Sequence, residues 1–116
     1  MIRTSGARIT LCGVVLATFL AGVVSCGAPE AIPPATHTIT IEGSSFSPVA
    51  VEVKVGDTVT WVNKDFFPHT ATSKAGGFDS QGLPPGRTWS YVATRAGDIK
   101  YLCTFHPTME GTLRIR

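Results

Sequence analysis

From Thr38 onward, apolar and polar residues alternate in short runs. Ile39 and Ile41 stand between Thr38, Thr40 and Glu42, and Val49, Val51, Val53 and Val55 alternate with Ala50, Glu52 and Lys54. Val59 and Trp61 continue the pattern, followed after a gap by Trp89, Tyr91 and Ala93, by Ile99, Tyr101 and Cys103, and by Leu113 and Ile115. A period of two sends successive side chains to opposite faces of a strand, so each run offers one face to a core and one to water. No stretch after His37 keeps a helical period. Short strands punctuated by Gly, Pro, Asp and Asn predict an all-β fold, a two-sheet Greek-key β-sandwich. Gly56-Asp57 reads as a tight hairpin turn between the valine run and the strand of Trp61. Residues 63–85 are irregular, and no internal repeat is evident.

The first third of the chain follows a different pattern. Arg3 and Arg8 precede sixteen uncharged, mostly apolar residues, Ile9 to Val24. That run is shorter than the ~20 residues a membrane span needs and suits a removable export signal. It closes on Val23-Val24-Ser25-Cys26-Gly27, which resembles the lipobox of bacterial lipoproteins, in which the Cys is lipidated and becomes the mature N-terminus. The expected organisation is a signal segment over 1–25, a lipidated Cys26 with a Pro-rich tether over 26–36, and one β domain over 37–116. Ordinary cleavage near Ala28 would leave the same domain free. Either way the destination is the periplasm or another extracytoplasmic face, membrane-anchored if Cys26 is acylated.

Processing also changes the charge. The whole chain carries ten basic and eight acidic residues, a net charge of +2. Without Arg3 and Arg8 the two signs balance, and no basic tract remains to attract nucleic acid. Of three cysteines, Cys12 belongs to the signal segment and Cys26 to the expected lipid site, which leaves Cys103 unpaired in the domain. An exported free thiol is a liability unless it is buried or bound.

Cys103 is in phase with Ile99 and Tyr101, so it points inward at the end of its strand. Pro107 rules out an ordinary helix next, and a loop carrying His106 and Met109 is expected before a strand resumes over Gly111–Arg116. A thiolate, an imidazole and a thioether thus fall within seven residues. A second imidazole would complete the two-His, one-Cys set with a weak axial Met that defines a blue-copper centre. His37 ends the tether, whereas His69, in Asp65-Phe-Phe-Pro-His-Thr70, lies just beyond the Trp61 strand and can reach the same end of a sandwich. Taken singly, an inward Cys is ordinarily a small buried hydrophobe and a Met ordinarily fills a core. A closed zinc site would want four strong Cys or His ligands and leaves Met109 without a role.

Phe46-x-Pro48, Val55-Gly-Asp-Thr-Val-Thr-Trp-Val-Asn63, Phe67-Pro-His69 and Tyr101-Leu-Cys-Thr-Phe-His-Pro-Thr-Met109 together resemble the cupredoxins, in particular the amicyanin, pseudoazurin and plastocyanin group. The resemblance covers essentially the whole domain, and the Cys-x2-His-x2-Met loop looks most like that of amicyanins. It implies one type 1 copper ion, with His69, Cys103 and His106 equatorial and Met109 axial. It implies electron transfer between a protein donor and acceptor met transiently, with His106 as the electron's exit through an apolar patch. Phe66, Phe67, Phe105, Pro107 and either Leu83 or Pro84 are the candidates for that patch, with one of Phe66 and Phe67 expected outside and the other inside. Balanced charge predicts only mild salt dependence of association.

Two positions depart from the family pattern. Thr70 stands where the family commonly has an Asn that orients a hydrogen bond toward the thiolate. Phe105 stands where amicyanin-like loops have Pro. A Phe105 N–H aimed at the sulfur would favour Cu(I) and hold the reduction potential above that of a Phe105→Pro variant. No hydrolase, metalloprotease or phosphate-cradling motif is present. The expectation is a monomeric carrier that is not an enzyme. The alternatives are a copper-handling protein of the cell envelope and, in a different class, a metal-free scaffold lipoprotein.

Overall fold

Strands β1 (Thr36–Glu42), β2 (Ser45–Ser47), β3 (Ala50–Val53), β4 (Thr58–Asn63), β5 (Thr72–Ser73), β6 (Phe78–Asp79), β7 (Thr88–Val92), β8 (Gly97–Cys103) and β9 (His106–Ile115) form two sheets. The structure is a computed structural model that describes residues 32–116 together with Gly22 and Gly27. The expected signal segment, Cys26 and most of the tether lie outside the described residues. One sheet has the order β2-β1-β4-β7 and the other β3-β9-β8-β5-β6. Both are mixed: β1 runs parallel to β4, β3 runs parallel to β9, and the remaining pairs are antiparallel.

The alternation read from the sequence becomes the facing layers of a sandwich. Ile39 and Ile41 of β1, Val59 and Trp61 of β4, Tyr101 and Cys103 of β8, and Leu113 and Ile115 of β9 are all buried in one core, with Trp89, Tyr91 and Ile99 packed against it. Trp61 is its centre, with ring centroids 5.3 Å from Tyr101 and 5.6 Å from both Phe78 and Trp89. Each large side chain so buried contributes about 1.5–3 kcal/mol, and a tilted or edge-on aromatic pair about 0.5–1.5 kcal/mol beyond that.

Two expectations change here. The valine run yields only the four residues of β3; Val49 and Val55 are 62% and 50% exposed. Nor is Gly56-Asp57 a hairpin turn, because β3 and β4 belong to different sheets. It is a crossing between layers. Gly56 takes a positive φ of 95°, a conformation open to Gly without strain, and its N–H donates to Ala93 O at 2.8 Å, drawing the chain toward the sheet of β7.

Asp57 fixes that crossing. Its carboxylate accepts N–H groups from Ala35 at 2.9 Å and Lys54 at 3.0 Å, and lies 2.8 Å from His37 Nε2. These bonds, His37's foremost, lower its pKa from the ordinary 3.8 to about 2. A carboxylate with a depressed folded-state pKa stabilises fully above its unfolded value and loses that contribution as the pH falls through the folded one. The urea midpoint should therefore fall between pH 4 and pH 2, and Asp57→Asn should flatten that part of the profile; an unchanged slope in the variant would show that other groups carry it. From Asp57, β1 extends about 20 Å, at about 3.3 Å per residue, to the turn Gly43–Ser44 at the opposite end of the sandwich.

Candidate metal centre

The chain beyond β4 is shaped by a buried amide. Asn63 Nδ2 donates to Phe67 O at 2.8 Å and to Leu83 O at 2.9 Å, while Asn63 Oδ1 accepts the N–H of Asp65 at 2.9 Å. A fully buried Asn is costly unless its hydrogen bonds are made; here they fold residues 64–69 back over the end of the sheet. His69 then exchanges backbone hydrogen bonds with Leu83, at 3.2 and 2.7 Å.

Cys103 ends β8 and His106 begins β9, joined by Thr104 and Phe105. The ladder pairs Leu102 with Glu110 and then Cys103 with His106, which leaves residues 107–109 without cross-strand partners. The expected loop is thus a β-bulge inside a strand that starts at His106 and not at Gly111. Pro107, with no N–H to give to a ladder, sits in the bulged stretch. The bulge returns Met109 to the interior, where it is 5% exposed.

These elements bring His69, Cys103 and His106 together, their ligand atoms all within 4.8 Å of one another. Both imidazoles present Nδ1 to the sulfur: His69 Nδ1 is 3.7 Å and His106 Nδ1 3.8 Å from Cys103 Sγ. A first-row ion at about 2.0–2.1 Å from nitrogen and about 2.3 Å from thiolate would span about 3.8 Å between them with bonds opened to about 120°. The donor set and its spacing therefore fit a metal held in a trigonal plane by two nitrogens and one sulfur. His69 and Cys103 are fully buried, whereas His106 is exposed. His37, bound to Asp57, takes no part.

The sulfur accepts the backbone N–H of Thr70 at 3.3 Å. Phe105 makes no such bond, so the reason to expect a higher potential than in Phe105→Pro falls away: the N–H that reaches the sulfur comes from the segment after His69 and not from the Thr104–Phe105 turn. The Thr70 side chain has its own task. Its Oγ1 accepts the Thr104 N–H at 2.8 Å and the Thr72 hydroxyl at 3.0 Å, tying the His69 segment to the Cys103 turn.

Phe66, Phe67 and Phe105 are 92%, 67% and 53% exposed, and Pro107 and Pro84 are exposed with them. Both Phe66 and Phe67 therefore face outward, contrary to the expected one in and one out. Asn63 holds the Phe67 carbonyl at 2.8 Å, and it is Leu83, 5% exposed, that joins the core. The sequence reading missed Asn63, Thr104 and Asp65. Asp65 Oδ2 lies 2.8 Å from His69 Nε2. The Ser44 N–H, more than any other neighbour, holds its carboxyl below the usual range, aided by Gly43 and His69. The spacing Asp-x3-His could have revealed it, because metal-binding imidazoles commonly give their second N–H to a carboxylate.

A two-sheet sandwich with a buried cysteine sulfur between two imidazoles at one end defines a class of metalloprotein fold. The family description Cupredoxin-like domain matches residues 13–115, and the chain belongs to that family. Amicyanin-alpha of Methylorubrum extorquens is 33% identical over 105 residues, covering 83% of this chain and 88% of the relative. Amicyanin of Paracoccus denitrificans is 39% identical over 66 residues, 53% of this chain and only half of the relative's length. Plastocyanin of Scenedesmus fuscus is 32% identical across 61% of this chain and 86% of its own. Among solved structures, a mutant of amicyanin in the Cu(I) form superposes with a TM-score of 0.66 at 29% identity, covering 70% of this chain and 82% of the other. A copper-containing nitrite reductase from Thermus scotoductus gives a TM-score of 0.66 at 31% identity, but this chain matches only 23% of it.

Proposed function

We propose that this chain is a type 1 copper electron carrier, with His69, Cys103, His106 and Met109 as the ligands. The observation that carries it is the convergence of two Nδ1 atoms on one fully buried cysteine sulfur, with only one of the two imidazoles at the surface. When bound, copper supplies a one-electron couple to which thiolate and thioether give a soft donor set and the imidazoles a harder one. His69 and Cys103 exclude water, and the sheet ends hold all the donors, so little needs to move when the charge changes. His106 offers the route to a partner through the apolar collar of Phe66, Phe67, Phe105 and Pro107. Small apolar contacts suit brief redox encounters.

The carrier reading is preferred to an enzyme because the likeness to nitrite reductase reaches less than a quarter of that protein. It is preferred to copper handling because ion exchange calls for accessible soft ligands, whereas Cys103 and Met109 are buried. The partners are a protein donor and a protein acceptor outside the cytoplasm, met by a monomer, with association only mildly dependent on salt. We further propose the organisation 1–25, 26–36 and 37–116, with Cys26 lipidated.

The full chain loaded with Cu(II) should show an intense thiolate-to-copper band that bleaches with ascorbate and returns with an oxidant, the ion being retained through gel filtration. A colourless protein that gives up copper on each cycle would point to handling instead. Phe66→Glu should leave that band unchanged and slow electron self-exchange at least tenfold, since it places charge in the collar; an unaltered rate would remove Phe66 from the contact.

A further inference from the structure

A column of oxidisable rings runs from the metal centre to β7, the edge strand of its sheet. Tyr101 and Cys103 are buried on one face of β8, two residues and so about 7 Å apart along the strand. The Tyr101 ring meets Trp61 edge-on at 5.3 Å. Trp61 in turn stands 5.6 Å from Trp89, its direct partner across the β4–β7 ladder. These are the separations of aromatic rings in contact. The chain has two tryptophans, and they differ in exposure: Trp61 is fully buried and Trp89 only partly. They differ also in what oxidation leaves behind. An indole that loses an electron becomes acidic and settles as a neutral radical once its N–H proton has gone. Trp61 Nε1 is buried with no hydrogen-bond partner, so nothing stands by to take that proton. Trp89 has solvent within reach. An electron vacancy can therefore cross Trp61, but the place for it to rest is Trp89.

We propose that the column Trp89–Trp61–Tyr101 is an electron relay through which the metal end repairs radicals formed at the β7 edge. This radical-quenching function is separate from exchange with redox partners at the His106 collar, and it rests on the copper reading only for the donor at its inner end. The reagent is a small inorganic one-electron oxidant, of the carbonate-radical or azide-radical type. It takes one electron from Trp89 and leaves as its anion, while the Trp89 N–H proton goes to water. One electron then travels outward from the reduced site, by way of Cys103, Tyr101 and Trp61, to the Trp89 radical, which regains a proton from water. The site is left one electron poorer, as Cu(II), and no side chain is consumed. The next encounter with a protein donor restores it.

Pulse radiolysis of the full-length chain in azide solution is the test. With Cu(I) in the site, azide radical should produce the tryptophan-radical absorption. That absorption should then decay by a first-order process, independent of protein concentration, while the blue band rises at the same rate. Trp61→Phe, which keeps a ring in the core, should slow both at least tenfold. Tyr91→Phe, whose parent ring packs on Phe78 outside the column, should move them less than twofold. Trp89→Phe should abolish the coupled phase and leave only direct, concentration-dependent oxidation of the site. In the apo chain the inner end is the Cys103 thiol, which gives up an electron and a proton. There the radical should again decay by a first-order process that Trp61→Phe slows, with Cys103 found oxidised by peptide mass. Decay that is second order in protein, or a rate that Trp61→Phe moves less than twofold, would overturn the relay. Should Trp61→Phe not fold, Trp89→Phe decides, since a coupled phase that survives it overturns the relay equally. Absence of a blue band in the parent chain would refute the copper reading and leave the apo decay to judge the column.

Discussion

Cys103→Ser is expected to abolish the visible colour of the copper-loaded chain while leaving the sandwich folded. The band depends on charge moving from thiolate sulfur to copper, and Cys103 is the single thiol among the described residues. A serine hydroxyl is almost wholly protonated near neutrality and offers a hard oxygen where the site is built around a soft sulfur. The surroundings should tolerate the change. The Thr70 N–H that donates to Sγ at 3.3 Å can donate to a hydroxyl, and Thr70 and Thr104 still bind each other. The stability loss should thus stay near the ~1 kcal/mol of one altered hydrogen bond. Absorption spectra with copper stoichiometry, beside an apo melting curve, separate the outcomes. A variant that melts like the parent and keeps an intense band would remove Cys103 from the centre.

What the sequence disclosed, and what it withheld, follows from range. Period-two runs report burial face by face, so the strands of Ile39, Trp61, Tyr101 and Leu113 were legible, and with them the inward direction of Cys103. The four donor residues were legible because their types and spacing are unusual together, even though His69 and Cys103 are 34 positions apart. Pairing was not legible. A four-residue β3 bound to β9 and a β4 bound to β1 and β7 look, in one dimension, like one hairpin with a Gly-Asp turn. Only the bonds of Asp57 to Ala35 and Lys54 and of Gly56 to Ala93 decide otherwise. The outward turn of both Phe66 and Phe67 was hidden for a similar reason. It depends on which carbonyls Asn63 holds, and hydrophobicity argues the opposite way. Asp65 was readable in principle, yet half of its meaning lies in two amides more than twenty residues upstream.

Gly111→Ala is expected to be the most destabilising small substitution in the domain. Gly111 lies opposite Tyr101 in the β8–β9 ladder, and the Tyr101 ring covers it. A methyl carbon there would stand 2.3 Å from Tyr101 Cζ, 2.3 Å from its hydroxyl oxygen and 2.7 Å from Cε1. The ring cannot retreat. It is 2% exposed, with Phe46 edge-on at 4.7 Å and Trp61 at 5.3 Å, and burial pushes its phenol up to about 12. Overpacking a dense core typically costs about 1–3 kcal/mol, and a clash with a trapped ring belongs at the top of that range. A domain of this size loses roughly 4–8 °C of melting temperature per kcal/mol, so a fall of roughly 12–24 °C is expected. Met109 is two residues upstream in β9, and a displaced β9 should also disturb the copper spectrum. Tyr101→Leu in the same chain removes the ring, so the double variant should be more stable than the sum of the two single losses by more than about 1 kcal/mol. Strict additivity, or a Gly111→Ala melting point within about 3 °C of the parent, would mean that the sheet yields at this position and that the close approach of ring to backbone is not what holds β9 in register.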